Sequence, residues 1–417
     1  MLDFIYLSNI KLNLFDGNTN VTTDAGLSDE MKTFYSDYLI DLAEPELIHD
    51  QFGQKHPIPK NGGKTIEFRK YDSLPKALTP LTEGVTPDGQ KLTMGVITAT
   101  VAEYGAFIEL SDVLLLTAID NNLVQATQLL ASQAGRTLDT ITREVLNGGT
   151  NVIYAGGAQD RNDLVGGDAT PANNNYLTID DVKKAVHALK VQNTRKYKGD
   201  WVAIIHPSVS YDLTNDPKWI NVKTYSDPKD MYEGEIGKIE GVRFVENTEA
   251  KIFAATWLTA ASRTLTVKTN VSDNTSVPVK EKITATDATA LAGKTILIGT
   301  AAATIASATA GDAGSASITL SAAGTYAADA VIAADNAGAG GRSVYSTLVM
   351  GADAYGVTEV TGGGLQHIVK QLGSAGTADP LNQRATAGWK AIKTAERLVE
   401  QYMVRIESTS TYDEDAN

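Results

Sequence analysis

Residues 111–149, SDVLLLTAIDNNLVQATQLLASQAGRTLDTITREVLNGG, decide the fold. Leu116, Ile119, Leu123, Ala126, Leu130, Ala134, Leu138, Ile141 and Val145 follow one another at steps of three or four. That spacing is one apolar stripe along a helix. Ser111 or Asp112 supplies the N-cap, and Gly148 with Gly149 supplies the stop. A helix over 112–147 is roughly 50 Å long, where globular helices average about 11–12 residues. The e- and g-type positions carry no regular charge, so the helix reads as a strut rather than a coiled coil.

Upstream, residues 64–70 (KTIEFRK) place Ile66 and Phe68 in alternation with Glu67 and Arg69, a strand pattern. A second β-like run covers 96–101 and 104–110. Between them lie Pro75, Pro80, Gly84, Pro87 and Gly89. A structureless loop of that length is unusual inside a compact domain, so the reading is a two-stranded arm with an extended tip. Such an arm cannot bury its own faces and needs a neighbour, another subunit. Residues 1–27 read as a further arm. A short helix follows from Ser28, with Met31, Phe34, Tyr35, Tyr38, Leu39 and Leu42 on one face, and Pro45 closes it.

Downstream of a Gly/Asn-rich loop (155–175) an α/β region begins. Thr178 and Asp181 cap a helix whose inner face is Ile179, Val182, Val186 and Leu189. Residues 201–205 form a buried strand stopped by Pro207. Ser208 caps another helix, and 241–246 is a strand. The composition then shifts: of the 59 residues in 283–341, 21 are Ala and 5 are charged. Short β-like runs recur at 264–269, 295–298, 317–320 and 330–333. The block reads as a small all-β module or a flexible low-complexity insertion, with 338–341 as its exit linker.

The chain has 417 residues, no Cys and a formal charge of −14. That charge argues against holding nucleic acid through a basic surface. Without Cys there is no disulfide, thiolate metal site or Cys nucleophile. The first fifteen residues lack a basic segment followed by a small-residue cleavage site, so no signal peptide is expected. No stretch is apolar enough to span a bilayer, so no membrane partner is expected. Gly63-Lys64-Thr65 and Gly293-Lys294-Thr295 fail as phosphate loops, because the required upstream Gly is replaced by Ile58 and Ala288. His49, His56, His187, His206 and His367 never fall in metal-ligand spacing. His206 ends a strand and reads as structural. The run Asp413 to Asp415 reads as a solvated tail, and Gly362 to Gly364 as a flexible turn. No catalytic residue, cofactor or metal is expected.

Seven strings carry a resemblance: FGQKHPIPKNGGKTIEFR (52–69), PLTEGVTPDG (80–89), QAGRTLDTITREVLNGGTNV (133–152), VAIIHPSVSYDL (202–213), GEIGKIEGVRFVE (234–246), GADAYGV (351–357) and LGSAGTADPLNQRATAGWKA (372–391). Over about 28–255 and 344–408 the chain resembles the major capsid proteins of tailed bacteriophages. The resemblance implies an α+β fold. It has an N-terminal arm (1–50), an extended-loop hairpin (51–110), and a spine helix with peripheral domain (111–176). An axial domain (177–256) follows, completed by 343–417, which also returns to the peripheral domain. Residues 257–342 match nothing in that core and read as an inserted β-rich domain, a sandwich or barrel. The helix-like spacing of Ala391, Ala395, Leu398 and Tyr402 is overruled, because the family places a strand there. The Lys–Asn crosslink of some phage shells is not carried over.

The function so implied is that of a non-enzymatic coat protein. It self-assembles into hexamers and pentamers of an icosahedral head in the host bacterial cytoplasm. Its partners are copies of itself, a portal, scaffold or decoration proteins, and packaged double-stranded DNA held without sequence-specific binding. Glu67, Arg69, Lys70, Lys76, Glu83, Asp88 and Lys91 are the expected inter-subunit residues of the hairpin. The competing classes are a ligand-binding enzyme using the Gly-rich turns and a surface adhesin suggested by the Thr/Ala-rich block.

Overall fold

The structure, a computed structural model, describes residues 48–59, 63–71, 74–78, 80, 83, 89–113, 122–166, 175–219, 237–253, 256–359, 364–374 and 381–417. The expected arm over 1–47, with its Ser28 helix, lies outside them, as do Asp88 and the Gly362 part of the glycine turn. The chain divides into two compact units. One comprises 102–138 and 360–393 with 1–47, the other 48–101, 139–359 and 394–417.

The second unit opens with β1 (Gln54–Lys55), followed by the hairpin strands β2 (Thr65–Tyr71) and β3 (Met94–Thr100). These pair antiparallel from Thr65 opposite Thr100 to Tyr71 opposite Met94. The hairpin ends there, earlier than expected. β4 (Ala102–Ser111) leaves it and pairs with another strand in the first unit. The inward phase shifts at this change of partner, from Ile97, Ala99 and Val101 on odd positions to Tyr104, Ala106, Ile108 and Leu110 on even ones. Helix α1 (Asn122–Asn147) follows. Ser111 ends β4, residues 112 and 113 are helical directly after it, and the span 114–121 is not described. Ala126, Leu130, Ala134 and Leu138 are buried as the stripe requires. Beyond them the buried positions are Asp139, Thr142, Arg143, Leu146 and Asn147, not Ile141 and Val145.

The centre of the second unit is a seven-stranded sheet. Its members in chain order are β5 (Val152–Tyr154), β6 (Trp201–Ile205), β7 (Lys238–Ile239), β8 (Val242–Glu246) and β9 (Ile252–Phe253), joined by two later strands. β6 is buried on both faces. Trp201, Ala203 and Ile205 meet the helices α2 (Ile179–Val191) and α3 (Pro207–Thr214) in one core, while Val202 and Ile204 meet Leu146 and Tyr355 in another. Thr178 caps α2 by accepting from Asp181 N at 3.4 Å. The cap of α3 is His206, not Ser208: its Nδ1 accepts from Ser208 N at 3.3 Å.

Residues 265–334 build a separate sheet: β10 (Leu265–Thr266), β11 (Val271–Pro278), β12 (Thr295–Ile298), β13 (Ala301–Thr309), β14 (Ser317–Tyr326) and β15 (Val331–Ala334), in the order β10-β15-β12-β13-β14-β11. The two outer strands also meet. Lys268 N donates to Pro278 O at 2.8 Å, Lys280 N donates to Thr266 O at 2.9 Å, and Val267 bridges Val279. The sheet therefore closes into a barrel. Val267, Val277, Ile296, Ile305, Ile318 and Ile332 fill it, and α4 (Ala285–Leu291), capped by Thr284, packs beside it. The glycine run 338–341 is packed rather than a free linker. A Cβ on Gly338 would sit 2.6 Å from Leu164 O, and Gly341 holds φ +75.

The chain then returns through β16 (Val344–Met350) and β17 (Tyr355–Glu359) to β18 (Gln366–Lys370), β19 (Arg384–Arg397) and β20 (Met403–Ser408). β16 and β20 complete the central sheet, and β17 takes β1 in parallel. β19 is a strand, as the family resemblance requires. Within the first unit its residues 384–393 lie between β18 and β4.

Candidate assembly surfaces

The hairpin has two chemically different faces. Ile66 and Phe68 stand opposite Ala99 and Ile97, turned toward the hairpin's own unit. The Phe68 ring lies where a Cβ on Gly356 would come within 3.0 Å, and His56 meets it edge-on at 5.5 Å. A cavity of about 300 Å³ at this root is lined by His56, Phe68, Arg69, Ile97, Asp353 and Leu398, among others. The outward face carries Glu67, Arg69, Val96 and Thr98, all exposed.

Of the expected hairpin residues, Glu67, Arg69, Lys76, Glu83 and Lys91 are exposed and form no ion pair among the described residues. Lys70 lies in β2 opposite Gly95. Asp88 is not described. The sequence reading missed the apolar members of this arm. Leu74, Leu78, Leu92, Met94 and Val96 are all exposed, Leu78 at 81%. They sit among prolines and charges, so no periodicity marks them. Covering one Leu side chain is worth about 1.5–3 kcal/mol, more than an exposed ion pair at about 0–1 kcal/mol.

In the first unit, β4 and β18 flank β19. Gly105 and Gly388 allow the close approach, since a Cβ on Gly388 would fall 2.8 Å from that of Phe107. Trp389 Nε1 donates to Gln133 Oε1 at 3.3 Å and Lys393 Nζ to Leu138 O at 2.9 Å, fixing the helix to the sheet. Phe107 is 70% exposed and Ile368 is also open. With Gly105, Gly388 and Trp389 they line a depression of about 240 Å³. Arg384 pairs with Glu109 at 3.1 Å and Lys390 with Glu103 at 2.9 Å along its rim.

The second unit is tied together by buried polar groups. Asp139 receives His49 N at 2.7 Å, meets His49 Nδ1 at 2.6 Å and receives Asn247 Nδ2 at 3.1 Å. Thr142 Oγ1 donates to Asp50 Oδ1 at 2.6 Å, so residues 48–50 are tied to the helix twice. The Tyr355 hydroxyl donates to His49 O, and burial pushes it well above the usual phenol range. Glu407, fully buried, is held by Arg161 through two bonds of 2.6 Å and by Arg405 at 2.8 Å. Burial pulls the Arg161 guanidinium down, but its bonds to Glu407 outweigh that and leave it raised. In Arg405 burial wins and the group is lowered. Asp139, Thr142 and Arg143 look like ordinary polar helix positions in the sequence. Only their partners, some ninety or more residues away, distinguish them.

Among the described residues no group of three or more His, Asp or Glu is placed to hold a metal, and no helix is long and apolar enough to cross a membrane. The described cavities are shallow clefts at sheet edges and at the hairpin root.

The family model described as phage capsid protein matches residues 109–371. The chain belongs to the phage capsid protein family. The capsid of Ralstonia phage GP4 is similar in fold, with 11% identity, a TM-score of 0.52, and coverage of 88% of this chain and 89% of that one. The capsid of cyanophage Pam1 is similar too, with 14% identity, a TM-score of 0.51, and coverage of 87% and 89%. No curated protein matches the chain. The fold is the tailed-phage major capsid fold, and the protein is a structural component of the phage head. The exposed hairpin and the Phe107 depression are the surfaces its geometry offers.

Proposed function

We propose that this capsid protein builds hexamers and pentamers of an icosahedral head around packaged double-stranded DNA, with the hairpin as the principal inter-subunit element. The observation that carries the reading is the hairpin itself. It is a two-stranded arm with Leu74, Leu78, Leu92, Met94 and Val96 exposed, and with Glu67, Arg69, Lys76, Glu83 and Lys91 exposed beside them. A folded monomer gains nothing from such an arm, whereas a lattice buries it at every subunit. Glu67, Arg69, Lys70, Lys76, Glu83, Asp88 and Lys91 set register against a neighbour, and the apolar tip supplies the energy. Residues 1–50 serve as a second arm, and the barrel at 257–342 faces outward. Assembly takes place in the host bacterial cytoplasm, with a portal and with scaffold or decoration proteins. The charge of −14 suits a shell wall from which DNA slides without sticking.

The test is deletion of residues 74–92. The expected outcome is a folded, soluble subunit that forms no shells by electron microscopy. Normal particles would overturn the assignment of the hairpin.

A further inference from the structure

The acidic run at 413–415 reads in the sequence as a solvated tail. The structure places it elsewhere. Residues 410–417 run across the second unit and bond to it along most of their length. Asp212 of α3 accepts from Ser410 Oγ at 2.6 Å and from Thr411 N at 2.9 Å. The buried Tyr345 hydroxyl donates to Tyr412 O at 2.8 Å and accepts from Glu414 N at 3.1 Å. At the far end the Asn417 side chain is bracketed, donating to Ala250 O at 2.9 Å and accepting from Ile252 N at 3.0 Å.

The middle of the segment holds the barrel. Chain enters the barrel past Trp257 and Arg263 and leaves it past Ser343. Arg263 pairs with Asp413 at 3.1 Å and with Asp415 at 2.8 Å. Trp257 Nε1 donates to Asp415 Oδ1 at 3.0 Å, and Ser343 N donates to Asp413 Oδ1 at 2.7 Å. One carboxylate, Asp413, thus joins the incoming and the outgoing connection.

We infer that residues 410–417 are a strap that fixes the barrel on the central sheet, lying in a groove built to take an extended acidic peptide with carboxylates two residues apart. The barrel has its own core and closed sheet, so its fold does not need the strap. Its orientation on two connections does.

The test is amide hydrogen exchange on the chain truncated after Thr409. The reporting amide is Ala339 N, which bonds to Leu164 O at 3.0 Å and touches no strap residue. Its exchange is expected to rise about tenfold or more. Ile305 N, inside the barrel on Lys294 O, is expected to stay protected. A synthetic peptide of sequence STYDEDAN restores protection of Ala339, and a scrambled peptide does not. Full-length Arg263→Gln provides the same readout should the truncated chain not fold, with loosening of Ala339 and an intact barrel. Unchanged exchange at Ala339 in the folded truncation, or in Arg263→Gln, overturns the proposal. Loss of protection at Ile305 overturns it too, since the segment would then be part of the barrel's own fold.

Discussion

The hairpin and the barrel are both made of short antiparallel strands, yet they solve opposite problems. The barrel turns Val267, Val277, Ile296, Ile305, Ile318 and Ile332 inward and joins its first strand to its last, so its apolar surface is satisfied within one chain. The hairpin has two strands and leaves Leu78, Leu92 and Val96 in the open. A sheet that closes can stabilise itself; one that stops at two strands is stable only against something else. Changes in the barrel are therefore expected to act on stability and, on the proposed reading, changes at the hairpin tip to act on assembly.

The largest effect that tests this contrast is in the barrel. Ile318→Ala is expected to cost about 2–5 kcal/mol in denaturant unfolding, because Ile318 is fully buried. Its counterpart Leu78→Ala should change unfolding by no more than about 0.5 kcal/mol while lowering shell yield. Equal destabilisation at the two positions would break the comparison. At the root, where the hairpin does touch its own unit, Gly356→Val drives a side chain onto the Phe68 ring. A cost of about 1–3 kcal/mol is expected, together with a misdirected arm and aberrant particles.

A smaller effect concerns pH. Burial holds the His206 imidazole below its ordinary value of 6.5. The unfolded chain then takes up a proton below that value while the fold resists it, so stability is full above pH 6.5 and falls as pH drops toward the lowered value. Urea midpoints between about pH 7 and about pH 5 should show the slope. His206→Asn, which keeps an N-cap side chain, should flatten it. Smallest is Lys282→Ala, which breaks an exposed pair with Asp312 at 3.0 Å. About 0–1 kcal/mol is expected, and more would mean that surface charge, not the core, holds the barrel.

The parts of this molecule legible in its sequence are those with strong local period. The stripe of α1 and the Ile66/Phe68 alternation are such parts. The strand β19 hid because its buried positions, Ala385, Ala387, Trp389, Ala391, Lys393 and Ala395, include small residues and a lysine, so the period of two does not look hydrophobic. β13, with sequence AAATIASAT, hid for the same reason. The boundary after Val101 shows in the sequence only as a slip of one residue in the alternation, which does not by itself say that the partner strand changes. Asp139, Glu407 and Asp413 could not be placed because local composition shows a charge without its partner. Asp413 finds Arg263 150 positions away in the chain. The charges of the hairpin were legible in the sequence, while its exposed apolar residues were masked by their irregular spacing.

Closure of the barrel has one more consequence. A sheet with a free outer strand offers unpaired N–H and C=O groups to any similar strand nearby. If the subunits assemble as proposed, many identical barrels come close together. Joining residues 266–268 to 278–280 removes the terminal edges through which those inserts could pair with one another. The insert can thus be carried at high local concentration without seeding fibres, and the lattice contacts decide where each subunit goes.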